Sequence, residues 1–138
     1  MLVLDTNVVL DWLLFRDLGC QTLAGALSKG EVRWLATAAM RQELEHVIGR
    51  GSLHAWAPDI HFMGLAWDRW ASMVPALTVS PPGAPRCSDP DDQKFIDLAL
   101  STGASALLSR DRAVLKCARR ARALGLEVLT PQAWGLRR

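Results

Sequence analysis

The sequence predicts an α/β fold: one three-layer α/β/α domain over residues 1–138, built on a parallel, Rossmann-like sheet of four to five strands. Very short apolar runs, Leu2–Leu4 and Ala106–Leu108 among them, alternate with longer stretches of helical periodicity. Those runs are apolar on both faces rather than alternating, as expected of strands covered by helices on two sides. Half the residues are hydrophobic, enough for one filled core, and no repeat or low-complexity tract divides the chain.

Taken in order, Leu2–Leu4 reads as the first buried strand. Asn7 or Thr6 is placed to cap a nearly all-apolar helix over 8–15. A second helix over Gln21–Ser28 ends at Gly30, and residues 32–35 read as the second strand. Thr37 is placed to cap a helix that Gly49 and Gly51 stop. Residues 57–74 read as helix, with Pro58 near the start, and 77–79 as a third, weak strand. SPPGAPRCSDPDD is the one clear loop. A helix over 92–101 breaks at Gly103, Ala106–Leu108 is the fourth strand, 113–124 a basic helix and Glu127–Leu129 the fifth strand.

The net charge of +2 excludes strong overall attraction to nucleic acid, so any such binding needs a local patch. No charged leader precedes an apolar stretch, and no apolar run is long enough for a membrane. A cytoplasmic protein is expected. Cys20, Cys87 and Cys117 lie far apart in an odd number, which suits reduced, buried thiols better than a disulfide or metal framework.

Carboxylates carry the chemistry. In an open parallel sheet, ligands bind outside the carboxyl ends of the strands. Asp5 directly follows the first strand, and Asp111 follows the fourth with only Ser109 and Arg110 between. If those strands are neighbours, both acids land on one rim. Two bare carboxylates there repel unless protonated, paired with cations or bridged by a metal.

Asp89-Pro90-Asp91-Asp92 places three more acids at a helix start. One would satisfy the free N–H groups and the dipole; three suggest a use for negative charge. Asp92 lines up with the apolar stripe of Phe95, Ile96 and Ala99, and is either a site acid or a helix cap, whereas Asp89 and Asp91 are better placed for solvent. Glu45 is explained by Arg41 one turn away, whereas Glu43 flanks the stripe of Ala39, Met40 and Val47 and is either a fourth site acid or a surface glutamate. With no Lys or His among them, such acids argue against a proton relay and for a hard cation, Mg²⁺ or Mn²⁺, the usual equipment of phosphoryl chemistry.

Basic residues gather after the last acid. Arg112, Lys116, Arg119 and Arg120 share one helix side, with Arg110 and Arg122 close by. They form either a solvated face or a surface that tracks RNA phosphates. Of six tryptophans, Trp12 and Trp34 sit in core-like elements, while Trp67 and Trp70 suit core or a subunit contact better than base stacking. His46, His54 and His61 lack ligand spacing and are expected on the surface.

Together, LDTNVVLD, the glutamate of MRQELEHVI, DPDDQKFIDLALSTGA and LLSRDRAVL resemble a PIN-domain protein, down to the closing VLTPQAW. The branch most similar is the toxin component of type II toxin–antitoxin modules, the VapC-type ribonucleases. That resemblance implies a Mg²⁺- or Mn²⁺-dependent endoribonuclease acting on single-stranded RNA. Its acids map onto Asp5, Glu43, Asp92 and Asp111, holding one or two cations for metal-assisted hydrolysis, with Asn7 and Ser109 as supporting residues. It further implies a homodimer restrained by a cognate antitoxin protein. Two other readings remain open. Haloacid-dehalogenase-like phosphatases use an aspartate after the first strand as a nucleophile but want a second Asp where this chain has Asn7. A non-catalytic, RNA-binding PIN module predicts binding without cleavage.

Overall fold

The computed structural model describes residues 1–138. Five strands, each three residues long, form an all-parallel sheet: β1 (Leu2–Leu4), β2 (Trp34–Ala36), β3 (Ala71–Met73), β4 (Ala106–Leu108) and β5 (Glu127–Leu129). Their spatial order is β3-β2-β1-β4-β5. The chain builds outward from β1 on one side, then crosses back to lay β4 against β1's other edge. That reversal makes the β1/β4 boundary the topological switch point, where an open α/β sheet leaves a crevice at its carboxyl rim.

Register sets what lies on the rim. Leu4 pairs with Leu108 and Leu108 with Leu129, so Asp5 and Ser109 leave the sheet side by side. The Asp5 N–H donates to the Leu108 carbonyl at 3.1 Å, and the Ser109 N–H to Leu129 at 3.0 Å. Every residue of β1, β2 and β4 is buried. Apolar side chains on both faces of those strands therefore demand a helical layer on each side, which the sequence supplies.

The helices are α1 (Thr6–Leu13), α2 (Gln21–Ser28), α3 (Ala38–Gly49), α4 (Ile60–Trp70), α5 (Gln93–Thr102), α6 (Arg112–Leu115), α7 (Ala118–Arg122) and α8 (Pro131–Leu136). Thr37 caps α3 as expected, accepting the Met40 N–H, and Gly103 ends α5 in the left-handed region at φ 68°. Only a residue without a Cβ adopts that conformation freely. Trp34 lies at the centre of an aromatic cluster, with ring centroids 4.5 Å from Trp67 and 5.7 Å from Trp12; Trp12 in turn meets Trp70 at 5.6 Å. Trp34 and Trp67 are thus core residues. All three cysteines are buried free thiols, and the three histidines are exposed.

Several expected elements are corrected. The third strand is Ala71–Met73, not 77–79: Ala71 to Met73 pair with Trp34 to Ala36, while Val79 is 76% exposed in a loop. The helix expected over 57–74 runs only over Ile60–Trp70, because Asp59 caps its start and the chain turns extended after Trp70. Neither Asn7 nor Thr6 caps α1; Asp5 does. The basic helix expected over 113–124 is two short helices, α6 and α7, separated at Lys116 and Cys117. Pro131 starts a last helix, with Thr130 as its cap.

Candidate active site

Three carboxylates meet on the rim. Asp89, Asp92 and Asp111 each offer an oxygen, and these atoms lie within 4.8 Å of one another. Asp111 is delivered by the short turn after β4, and Asp89 and Asp92 by the 3-10 turn Pro90–Asp92 that leads into α5. Asp5 stands beneath them, 3% exposed. Its Oδ1 accepts the Val8 N–H at 3.0 Å, and its Oδ2 accepts the Ser109 hydroxyl. The same Ser109 oxygen accepts the Asp111 N–H at 3.0 Å. A fully buried serine thereby ties the acid after β1 to the acid after β4.

Each acid has a local role to weigh against a site role. Asp5 caps α1, Asp111 caps α6 through the Ala113 N–H at 2.8 Å, and Asp89 accepts the Asp91 N–H at 3.0 Å. Asp92 occupies the cap position of α5 yet accepts no capping hydrogen bond. Capping therefore does not account for it.

Crowding shows in the electrostatics. Burial, first, then the charges of Asp111, Asp89 and Asp5 push the Asp92 carboxyl up to about 7, with Lys94 opposing. Asp5 is raised as well, chiefly by burial and further by Asp111, against the hydrogen bonds from Ser109 and Val8. Like charges held this close favour protonation or a shared cation. The donors fit a hard divalent ion, since all three clustered atoms are carboxylate oxygens. The Cys87 thiol is raised by burial, which keeps it protonated and a poor ligand.

Glu43 is not among the clustered carboxylates. It projects from α3 with its Oε2 sealed from solvent, forming no hydrogen bond, 2.7 Å from the ammonium of Lys94. The pairing is ionic, off the line a hydrogen bond would take. Lys94, in the first turn of α5, also donates to the Asp91 carbonyl. Sequence reasoning missed Lys94 and counted no lysine among the acids. Its one signal was position, two residues after Asp92. Asn7 is exposed, and its backbone N–H faces the Asp5 carboxylate.

Among the basic residues, Arg112, Lys116, Arg119 and Arg120 are exposed. Arg110 does not stand with them: its Nη1 donates to Asp11 at 2.6 Å and to Asp17 at 2.9 Å, clamping the Ser109–Asp111 turn to α1 and the loop after it. No helix is long and apolar enough to cross a membrane.

The molecule is thus an α/β protein with a short all-parallel sheet and a cluster of carboxylates at the carboxyl rim. A family model described as PIN domain matches residues 1–113, most of the chain. The chain belongs to the PIN domain family, whose members are typically metal-dependent nucleases. The match ends within α6, so α7, β5 and α8 lie beyond it, although β5 completes the same sheet. No curated protein matches the chain at a significant level.

Proposed function

We propose that this protein is a Mg²⁺- or Mn²⁺-dependent endoribonuclease that hydrolyses phosphodiester bonds of single-stranded RNA, and that it is the toxin of a toxin–antitoxin pair. The observation that carries the reading is the mutual crowding of Asp89, Asp92 and Asp111 above the buried Asp5. Such an array is costly bare and is relieved by a divalent ion.

In this reading Asp92 and Asp111 would hold the cation, with Asp89 and Asp5 contributing negative charge beside them. When bound, the ion supplies a water of lowered pKa and offsets charge on the scissile phosphate. Ser109 aims Asp5 and, by donating to it, favours its ionised form against the effect of burial. Arg110, through Asp11 and Asp17, holds the turn that carries Asp111. The exposed Arg112, Lys116, Arg119 and Arg120 follow directly on Asp111 and offer phosphates a path to the crevice. The choice of RNA and of a toxin role rests on the likeness of the motif set to VapC-type ribonucleases. An antitoxin or a second copy of the chain would find exposed apolar side chains along α4 and the turn before it, among them Trp56, Ile60, Phe62 and Leu65, each more than 40% exposed. The expected setting is the cytoplasm.

Burial speaks against a phosphatase using Asp5 as nucleophile: both its oxygens are engaged and it is almost inaccessible. The test is cleavage of single-stranded RNA by the purified protein with Mg²⁺ or Mn²⁺, compared with EDTA and with Asp5→Asn and Asp111→Asn. Cleavage that needs the metal and is lost in both variants supports the reading. RNA binding without cleavage, or full activity in both variants, overturns it.

A further inference from the structure

We propose that the Lys94 ammonium takes the place of a second divalent cation at this site, so that the crevice holds one divalent ion per chain. The inference rests on the metal-dependent reading above and decides its stoichiometry. Two-ion phosphoryl-transfer sites set their cations about 3.5–4 Å apart and need carboxylates for both. Here two candidate acids stand outside the Asp89, Asp92 and Asp111 cluster: Asp5, whose oxygens accept the Val8 N–H and the Ser109 hydroxyl, and Glu43, which Lys94 already neutralises at 2.7 Å.

Lys94 is held from three directions. Glu43 faces it from α3, the Asp91 carbonyl accepts from it within the acidic turn, and its ammonium sits 4.9 Å from the centre of the buried Phe95 ring. A free surface lysine has no reason to be so fixed, given the rotamer entropy it gives up. Asp92 also feels the Lys94 charge, whereas Asp97, which shares with Lys94 the wall of a cavity of about 230 Å³, is occupied by Ser80 at 2.6 Å and Gln93 at 3.0 Å. Conversely, with Lys94 in place Glu43 Oε2 is closed to water, so removing the ammonium strips that oxygen of its counter-charge. An ammonium is a compact point charge with three N–H donors. One donates to the Asp91 carbonyl, the charge as a whole faces Glu43, and donor capacity remains for a phosphate oxygen of the substrate.

Calorimetric titration of Mn²⁺ into the metal-free full chain, without RNA, tests this. Wild type is expected to take one ion per chain. Lys94→Met keeps the aliphatic stem over Phe95, removes the charge, and is expected to take two. Adding Glu43→Gln to it returns the count to one. Two ions on the wild type, or a single ion on Lys94→Met, overturn the proposal; Lys94→Gln serves the same comparison if the Met variant does not fold. Asp92→Asn separates the two readings. No ion on any form sinks the metal site altogether, whereas an ion lost in Asp92→Asn with no second ion in Lys94→Met sinks the Lys94 assignment alone.

Discussion

The Ser109 hydroxyl donates to the buried Asp5 carboxylate, joining the residue that follows β1 to the residue that follows β4. Its oxygen also accepts the Asp111 N–H, so one side chain organises both ends of the acidic rim. Removing it leaves a buried carboxylate short of a donor. Ser109→Ala is expected to cost about 1–3 kcal/mol, read as a lower urea midpoint with unchanged slope. An unaltered midpoint would mean that the hydroxyl contributes nothing to holding the acids together.

Asp5→Asn separates charge from shape. The amide oxygen still accepts the Val8 N–H, so α1 stays capped. RNA cleavage should be abolished while the circular dichroism spectrum is retained. In EDTA, loss of one buried negative charge facing Asp111 and Asp92 should raise the melting temperature by about 3–5 °C, the shift that roughly 1 kcal/mol produces in a domain of this size. A lower melting temperature in EDTA would show that the Asp5 charge is compensated within the protein itself.

The Asp92 carboxyl sets a pH dependence with a definite sign. Its value in the folded protein, about 7, lies above the ordinary 3.8, so the folded state binds the proton more tightly than the unfolded chain does. This group's contribution to the metal-free fold therefore falls as pH rises from about 4 to about 7. Melting in EDTA should be higher at pH 5.5 than at pH 7.5, and Asp92→Asn should flatten the difference. Saturating Mg²⁺ should reverse the trend, since the ion competes with the proton for the same oxygens. The same slope with and without Asp92 would assign the effect elsewhere.

Two kinds of arginine lie within a few residues of each other. Arg112 and Arg119 are exposed, and replacing each with Gln in the cleavage-dead Asp5→Asn background should weaken RNA binding. The slope of log affinity against log salt should shrink by about 0.7 per charge removed. Arg110→Gln should leave that slope alone, because its charge is already paired with Asp11 and Asp17. Instead it should lower stability by about 1–2 kcal/mol, in line with charged hydrogen bonds that are partly screened. Identical salt slopes for all these variants would remove α6 and α7 from the RNA path.

Local chemistry made much of the fold legible. Leu2–Leu4, Ala106–Leu108 and Glu127–Leu129 are strands where their apolar runs say so, and Thr37 and Gly103 mark helix ends by their own conformational preferences. β3 was hidden because Ala71, Ser72 and Met73 carry no strand preference; pairing with β2 makes them a strand. Leu77 to Val79 carry that preference and find no partner strand. The basic segment breaks at Lys116 and Cys117, where the Cys117 N–H bonds back to the Val114 carbonyl at 2.9 Å in a tighter turn.

While the sheet order set β1 beside β4 and so Asp5 and Asp111 on one rim, the order of residues alone settled which acids follow strands and how strand and helix alternate. Those are consequences of short-range periodicity, which is written along the chain. Tertiary structure alone decided that Asp89 joins Asp92 and Asp111, that Lys94 meets Glu43, and that Arg110 turns to Asp11 and Asp17. Each is a side-chain meeting whose outcome depends on how separate backbone segments pack, and charge pairing over such distances leaves no period to read.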